Sequence, residues 1–125
     1  MNTIKIVVPK IPPSMNNFLG NSHNYHNYAM EKKKWFRYIL EAADMNSIPK
    51  KPYGRVNIYI TYFFPNSIRR DRDNYNGKFL MDPLVKIHLL KDDDFRVIEK
   101  QVIKAALDRK NPRTEIVIEI LADGD

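Results

Sequence analysis

The chain contains no cysteine, which excludes a disulfide framework and any thiolate metal site. It has no apolar run approaching the length needed to cross a bilayer. Its N-terminus lacks the charged, apolar and small-residue succession of a secretory signal. These absences predict a cytoplasmic protein. A glycine-rich phosphate loop, a Ser/His/Asp arrangement and a zinc motif are missing as well. No repeat and no linker divides the 125 residues, so size predicts one domain over 1–125 with a single core.

Positive charge is what the chain has in excess. Lys and Arg number 21 against 15 Asp and Glu, a formal charge of +6, and the pI is near 9.5. That imbalance favours a polyanionic partner, nucleic acid before membrane, although a merely basic protein would show the same numbers. Inside this basic chain the acids are gathered. Arg69-Arg70-Asp71-Arg72-Asp73-Asn74 interleaves two carboxylates with arginines, Lys78 follows, and Asp92-Asp93-Asp94 comes about twenty residues later. Carboxylates grouped in cationic surroundings suit a hard divalent cation beside a phosphodiester.

The hydrophobic pattern predicts an α+β fold in the order β-α-β-α-β-β, with helices packed on a small mixed sheet. Ile4–Val8 reads as the first strand, ended by Pro9. Residues 11–28 read as a loop, and Asn27–Met45 as a helix whose face carries Phe36, Ile39, Leu40 and Ala43. Ser47–Gly54 is a connection, and Arg55–Phe64 alternates as a half-buried strand. A second helix is predicted from Asp73 or Asn74, with Lys78 a turn inside it. Pro83 should kink or restart that helix. Asp92–Asp94 form a turn. Phe95–Leu107 and Thr114–Leu121 read as an antiparallel pair joined through Arg109-Lys110-Asn111-Pro112.

Each motif has two readings. On an extended segment Asp71 and Asp73 point the same way and can share one cation; otherwise Asp73 caps a helix and Asp71 pairs with an arginine. Asp92, Asp93 and Asp94 repel one another unless a cation or solvent relieves them; a solvated acidic turn is the plain alternative. Lys78 would stabilise charge at a phosphate, or is simply an exposed helical lysine. Arg69, Arg70 and Arg72 would neutralise phosphates, or pair with the adjacent acids. His23 and His26 have a weak HxxH spacing. Tyr25 and Tyr28 can stack on bases or cover the core edge. Lys32-Lys33-Lys34 with Arg37 is a phosphate-binding or a solvated face.

With those residues in hand, the chain resembles the RusA family of Holliday junction resolvases. The resemblance rests on Arg70-Asp71-Arg72-Asp73-Asn74, Lys78, Asp82-Pro83-Leu84 and Asp92-Asp93 ahead of a strand. Pro12-Pro13-Ser14-Met15-Asn16 and Asn111-Pro112-Arg113 extend it over nearly the whole chain. It implies a small homodimeric, Mg²⁺-dependent endonuclease, often phage- or prophage-encoded, that introduces paired nicks at four-way DNA junctions. It implies that Asp71, Asp73 and Asp93 are essential metal-site carboxylates and Lys78 the catalytic lysine. Arg70 would contact DNA. Asp92 matches the first acid of the family's pair, and Asp94 is accessory. Mn²⁺ would be an alternative metal, and no nucleotide cofactor is implied. One departure stands out: the interval from Asp73 to Lys78 is one residue longer than in well-known members, with Gly77 the extra residue.

Three other classes compete. A non-catalytic DNA-binding module would use the bases for phosphates and the acids only as caps. A restriction-type nuclease needs an acid-x-Lys signature on a strand, and Asp108-Arg109-Lys110 has the spelling but falls in a predicted turn. A DxD glycosyltransferase would need a nucleotide-binding pattern that this chain lacks.

Overall fold

In the computed structural model residues 2–18, 22–45, 48 and 51–123 are described, the side chains of 22–25 excepted. The elements are β1 (Thr3–Val8), α1 (Ser22–Met45), β2 (Tyr53–Phe64), α2 (Lys78–Lys86), β3 (Ile98–Leu107) and β4 (Arg113–Asp123). Short 3-10 turns at Met15–Phe18 and Arg72–Asn74 precede the two helices. The fold is α+β, two helices on a four-stranded mixed sheet.

Strand order is β1-β4-β2-β3. β4 runs antiparallel to both β1 and β2, and β3 runs parallel to β2. The expected antiparallel pairing of the last two strands is therefore incorrect. β2 lies between them, and the 108–112 connection crosses its end. Two strand spacings amount to about 10 Å, which five residues span easily. Asp108 pins the crossing: its N–H donates to the Phe64 carbonyl at 2.8 Å, and its carboxylate accepts from the Lys110 and Asn111 amides and from Arg113. Composition explains the choice. β3 carries Glu99, Lys100, Gln101 and Lys104, all exposed, and suits an edge. β4 buries Thr114, Ile116 and Ile118 and needs a neighbour on each side.

Registered rows build the core. Ile6, Ile116, Ile60 and Ile103 stand side by side across the four strands, next to the row of Ile4, Ile118, Ile58 and Gln101. α1 and α2 pack against each other and cover this face. α1 contributes Trp35, Ile39, Ala42 and Ala43, fully or nearly buried. Trp35, missing from the predicted face, sits at its centre, whereas Phe36 and Leu40 lie only partly buried at its margin. Burial of Trp35 and Ile39 together is worth several kcal/mol at about 25 cal/mol per Å². The opposite sheet face bears half-buried Tyr59, Thr61, Phe63, Val102 and Val117.

Three local expectations need correction. α1 begins at Ser22, five residues before the periodicity shows; of the expected loop, residues 11–14 are irregular as read, whereas Met15–Phe18 forms a 3-10 turn. It is anchored by Phe18, whose ring meets Tyr28 at 5.4 Å and Phe79 at 5.8 Å edge-on. α2 does not start at the aspartates but at Lys78, after Gly77. Pro83 does not restart α2, which runs through it from Lys78 to Lys86; burial of Pro83 and Leu84 offsets the missing amide. Of the 47–54 connection, residues 47, 49 and 50 lie outside the described residues, as do the side chains of His23 and Tyr25. His26 is exposed.

Candidate active site

β2 ends at Phe64, and the chain turns over Pro65 and Asn66 into the arginine–aspartate segment. Arg70 folds back on this turn. Its guanidinium donates to the Asn66 and Ile68 carbonyls at 3.1 and 2.9 Å and to Asn66 Oδ1 at 2.7 Å. It also lies 4.0 Å over the Phe64 ring. Most of its donors are thereby used within the loop, which makes Arg70 a clamp for the segment. Arg72 Nη2 donates to the Ile103 carbonyl at 3.0 Å and ties the segment to the edge strand β3. Arg69 projects into solvent, its side chain 93% exposed.

Asp71 has extended backbone and precedes the 3-10 turn, but its side chain makes no capping bond. Its closest cation is Arg69, at a loose 3.8 Å, a pairing worth little between exposed groups. Asp73 lies inside the turn. The premise of one extended segment through both aspartates is thus incorrect. Asp73 does not cap α2 either, because that position belongs to Gly77. Both carboxylates face solvent, unspent on capping.

Gly77 sets the position of Lys78. Its φ of +80° and ψ of 4° are left-handed, a conformation that glycine adopts without steric cost. A Cβ there would come 3.0 Å from Gln101 Nε2 and 3.1 Å from Ile60 Cδ1. Asn76 prepares the turn: its Oδ1 accepts the Lys78 amide at 3.1 Å, and its carbonyl accepts Gln101 Nε2 at 3.3 Å. Beneath, the buried Tyr62 hydroxyl is hydrogen-bonded to the Gly77 backbone, and burial raises its pKa well above the ordinary phenol value. Gly77 is thus the hinge that turns the chain into α2. Lys78 is the first residue of that helix rather than one turn inside it.

The acidic turn approaches from the other side. Tyr53 exchanges backbone bonds with Leu89 and Lys91 at the start of β2, fixing where the turn begins. The three aspartates then diverge in role. Asp94 is spent on Arg96, accepting from its amide at 2.9 Å and its guanidinium at 2.6 and 3.0 Å, and this partner lowers the Asp94 pKa. Asp92 Oδ1 accepts the Asp93 amide at 2.7 Å. Asp93 points into a cleft of about 420 Å³ with Lys78, Asp82, Asn76 and Gln101. Desolvation there, the bond with Asp92 and the charges of Asp82 and Asp92 together raise its pKa. An acid raised by desolvation together with neighbouring carboxylates is a common mark of a functional site.

The structure therefore lines the candidate groups along the β3 edge. Arg72 reaches Ile103, Asn76 reaches Gln101, and Asp93 and Lys78 share the Gln101 cleft. Asp82, Asn76 and Gln101 join the site without having been singled out as site residues. Asp82 was accessible to helical spacing, four residues from Lys78 on one side of α2. Gln101 was not, since only the parallel β2–β3 register brings it there.

The donor set is all oxygen and fits a hard cation by chemistry. Among the described residues, no three acidic, histidine or cysteine side chains are close enough together to hold a metal. Asp93 and Asp82 line one cleft, and neither Asp71 nor Asp73 lines it. Compared with known proteins, the chain matches no family model and no curated protein.

Proposed function

We propose that this chain is a Mg²⁺-dependent endodeoxyribonuclease that resolves four-way DNA junctions by paired nicks, acting in recombination and repair in the cytoplasm. The observation that carries the reading is the cleft that Asp93, its pKa raised by desolvation and by the neighbouring Asp92 and Asp82, shares with Lys78. Asp71, Asp73, Asp93 and Asp92 would hold the cation, which supplies Lewis acidity and an activated water; Mn²⁺ is an alternative. Lys78 would offset charge on the scissile phosphate. Arg69 would neutralise a neighbouring phosphate, while Arg70 and Arg72 hold the loop that presents the aspartates. A homodimer with two such sites suits a nearly two-fold substrate. The half-buried apolar residues on the helix-free sheet face support a self-association surface. No described helix is long and apolar enough to cross a membrane.

The second reading is a non-catalytic basic DNA-binding module. That neither Asp71 nor Asp73 lines the Asp93 cleft, and that no three acids cluster among the described residues, favours it. Cleavage of an end-labelled four-way junction with Mg²⁺, beside linear duplex, decides between them. The nuclease reading expects paired symmetric nicks in the junction alone, abolished in Asp73→Asn with binding retained. Tight metal-independent binding without nicks, with Mn²⁺ also tried and across several junction sequences, would establish the binding module instead.

A further inference from the structure

A second depression opens between α1 and α2, with a volume of about 480 Å³. Lys32, Lys33, Lys78 and Lys86 line it, Asp82 is its only acid, and Tyr28 and Phe36 supply aromatic surface. Tyr28, Lys32, Lys78 and Asp82 belong to this groove and to the Asp93 cleft alike, so the two are continuous. Lys32 sits 3.1 Å from Asp82 and 5.6 Å over the Tyr28 ring. Lys86 stands 6.0 Å from the Phe36 ring centre. Lys33 and Lys86 have no acidic partner among the described residues. With Lys32 paired to Asp82, the remaining ammonium groups of Lys33, Lys78 and Lys86 around one small groove leave it net positive and attract an anion. Adjacent ring surface selects an anion that carries a flat apolar group, the combination by which single strands are held.

We propose that the α1–α2 groove binds an unpaired nucleotide of the DNA strand running on from the cut site. Lys33 and Lys86 contact its flanking phosphates, and its base rests against Tyr28 and Phe36. This rests on the nuclease reading and specifies its substrate further, as a branched DNA opened next to the cut. The continuity of the two depressions supplies the path: a strand whose phosphate meets Lys78 has its next phosphates where the lysines continue.

Fluorescence anisotropy in EDTA tests this, with a labelled thymidine oligonucleotide and a duplex of equal length. The K33Q/K86Q protein is compared with K51Q/K110Q, which removes the same charge elsewhere. Each phosphate contact contributes about 0.7 to the salt slope on single strands. The groove variant should lose about 1.4 of that slope, so that a roughly fourfold rise in salt costs the wild type about sevenfold more affinity than the variant. The control should keep the wild-type slope. Photo-crosslinking with 5-iodouracil in the oligonucleotide should then label Tyr28 or Phe36. Equal slopes for the two double variants, or crosslinks confined to other residues, would overturn the groove assignment. A wild type that cuts junctions while K33Q/K86Q binds normally sinks the groove alone. Groove binding without cutting under any condition sinks the nuclease reading alone, and absence of DNA binding sinks both.

Discussion

Replacing Gly77 by alanine probes the joint on which the candidate site depends. Gly77 has φ +80°, and an L-residue forced into that region costs about 1–2 kcal/mol. The new Cβ would stand 3.0 Å from Gln101 Nε2 and 3.1 Å from Ile60 Cδ1. Gln101 is exposed and can swing away, giving up its 3.3 Å bond to the Asn76 carbonyl. Ile60 is fully buried between neighbouring strands and has no such freedom, so overpacking adds about 1 kcal/mol. The total is about 2–3 kcal/mol. At about 4 °C per kcal/mol for a domain of this size, that lowers Tm by about 8–12 °C. Urea denaturation of Gly77→Ala measures the loss directly. The double variant Gly77→Ala with Gln101→Ala locates its source. If backbone conformation and Ile60 carry the cost, removing the Gln101 side chain does not restore stability. A single variant within about 0.5 kcal/mol of wild type, the ordinary range of an innocuous substitution, would refute the assignment of Gly77 as a required left-handed hinge. Because Lys78 follows directly, the nuclease reading expects the same variant to cut junctions more slowly even at temperatures where it is fully folded.

Other expectations concern the charged groups. The pKa of Asp93 is raised in the folded chain, so its contribution favours folding at low pH and is lost as pH climbs from about 3.8 through the raised value. Asp93→Asn should therefore flatten the decline in Tm over that interval, and superimposable Tm–pH curves for the two proteins would contradict the proposed crowding by Asp82 and Asp92. Added Mg²⁺ should raise the Tm of the wild type and not that of Asp93→Asn; equal shifts would remove Asp93 from the metal set. Arg70→Lys should cost about 1 kcal/mol, because an ammonium cannot reproduce the forked bonds to Asn66 and Ile68 or the stacking on Phe64. Arg69→Ala should leave stability unchanged and weaken DNA binding, and the opposite pattern in this pair of variants would reverse the roles assigned to the two arginines.

Much of the site was legible because its chemistry is local. Asp71, Asp73, Lys78 and Asp93 stand out by charge and spacing, and the structure sets Lys78 and Asp93 in one cleft. The distinction among the three consecutive aspartates was not legible. Only the folded turn shows that Asp94 is consumed by Arg96 while Asp93 faces Asp82. The type of Arg70 suggests a DNA contact, yet the Asn66 side chain and two backbone carbonyls take up its donors, and carbonyls, which every residue has, are invisible to a motif. The start of α1 was missed because residues 22–26 are polar and carry no apolar period. The start of α2 was missed because Asp73 and Asn74 offer good capping chemistry, whereas Gly77 has the left-handed conformation that the turn adopts.

By itself the sequence determined the number and order of the main strands and helices, the alternation of β2, and the basic character with its gathered acids. Alternation along Val56, Ile58, Ile60 and Tyr62 says which side of a strand is buried, since successive side chains alternate by geometry. It does not say which strand lies alongside, because the ladder is made by backbone groups common to all residues. Only the tertiary structure decided that β4 enters between β1 and β2, leaving β3 as the outer, parallel edge. That decision brings Gln101 beneath Asn76 and gathers Lys78, Asp82 and Asp93 around one cleft, where mutual desolvation and like charge give Asp93 properties that no single residue carries.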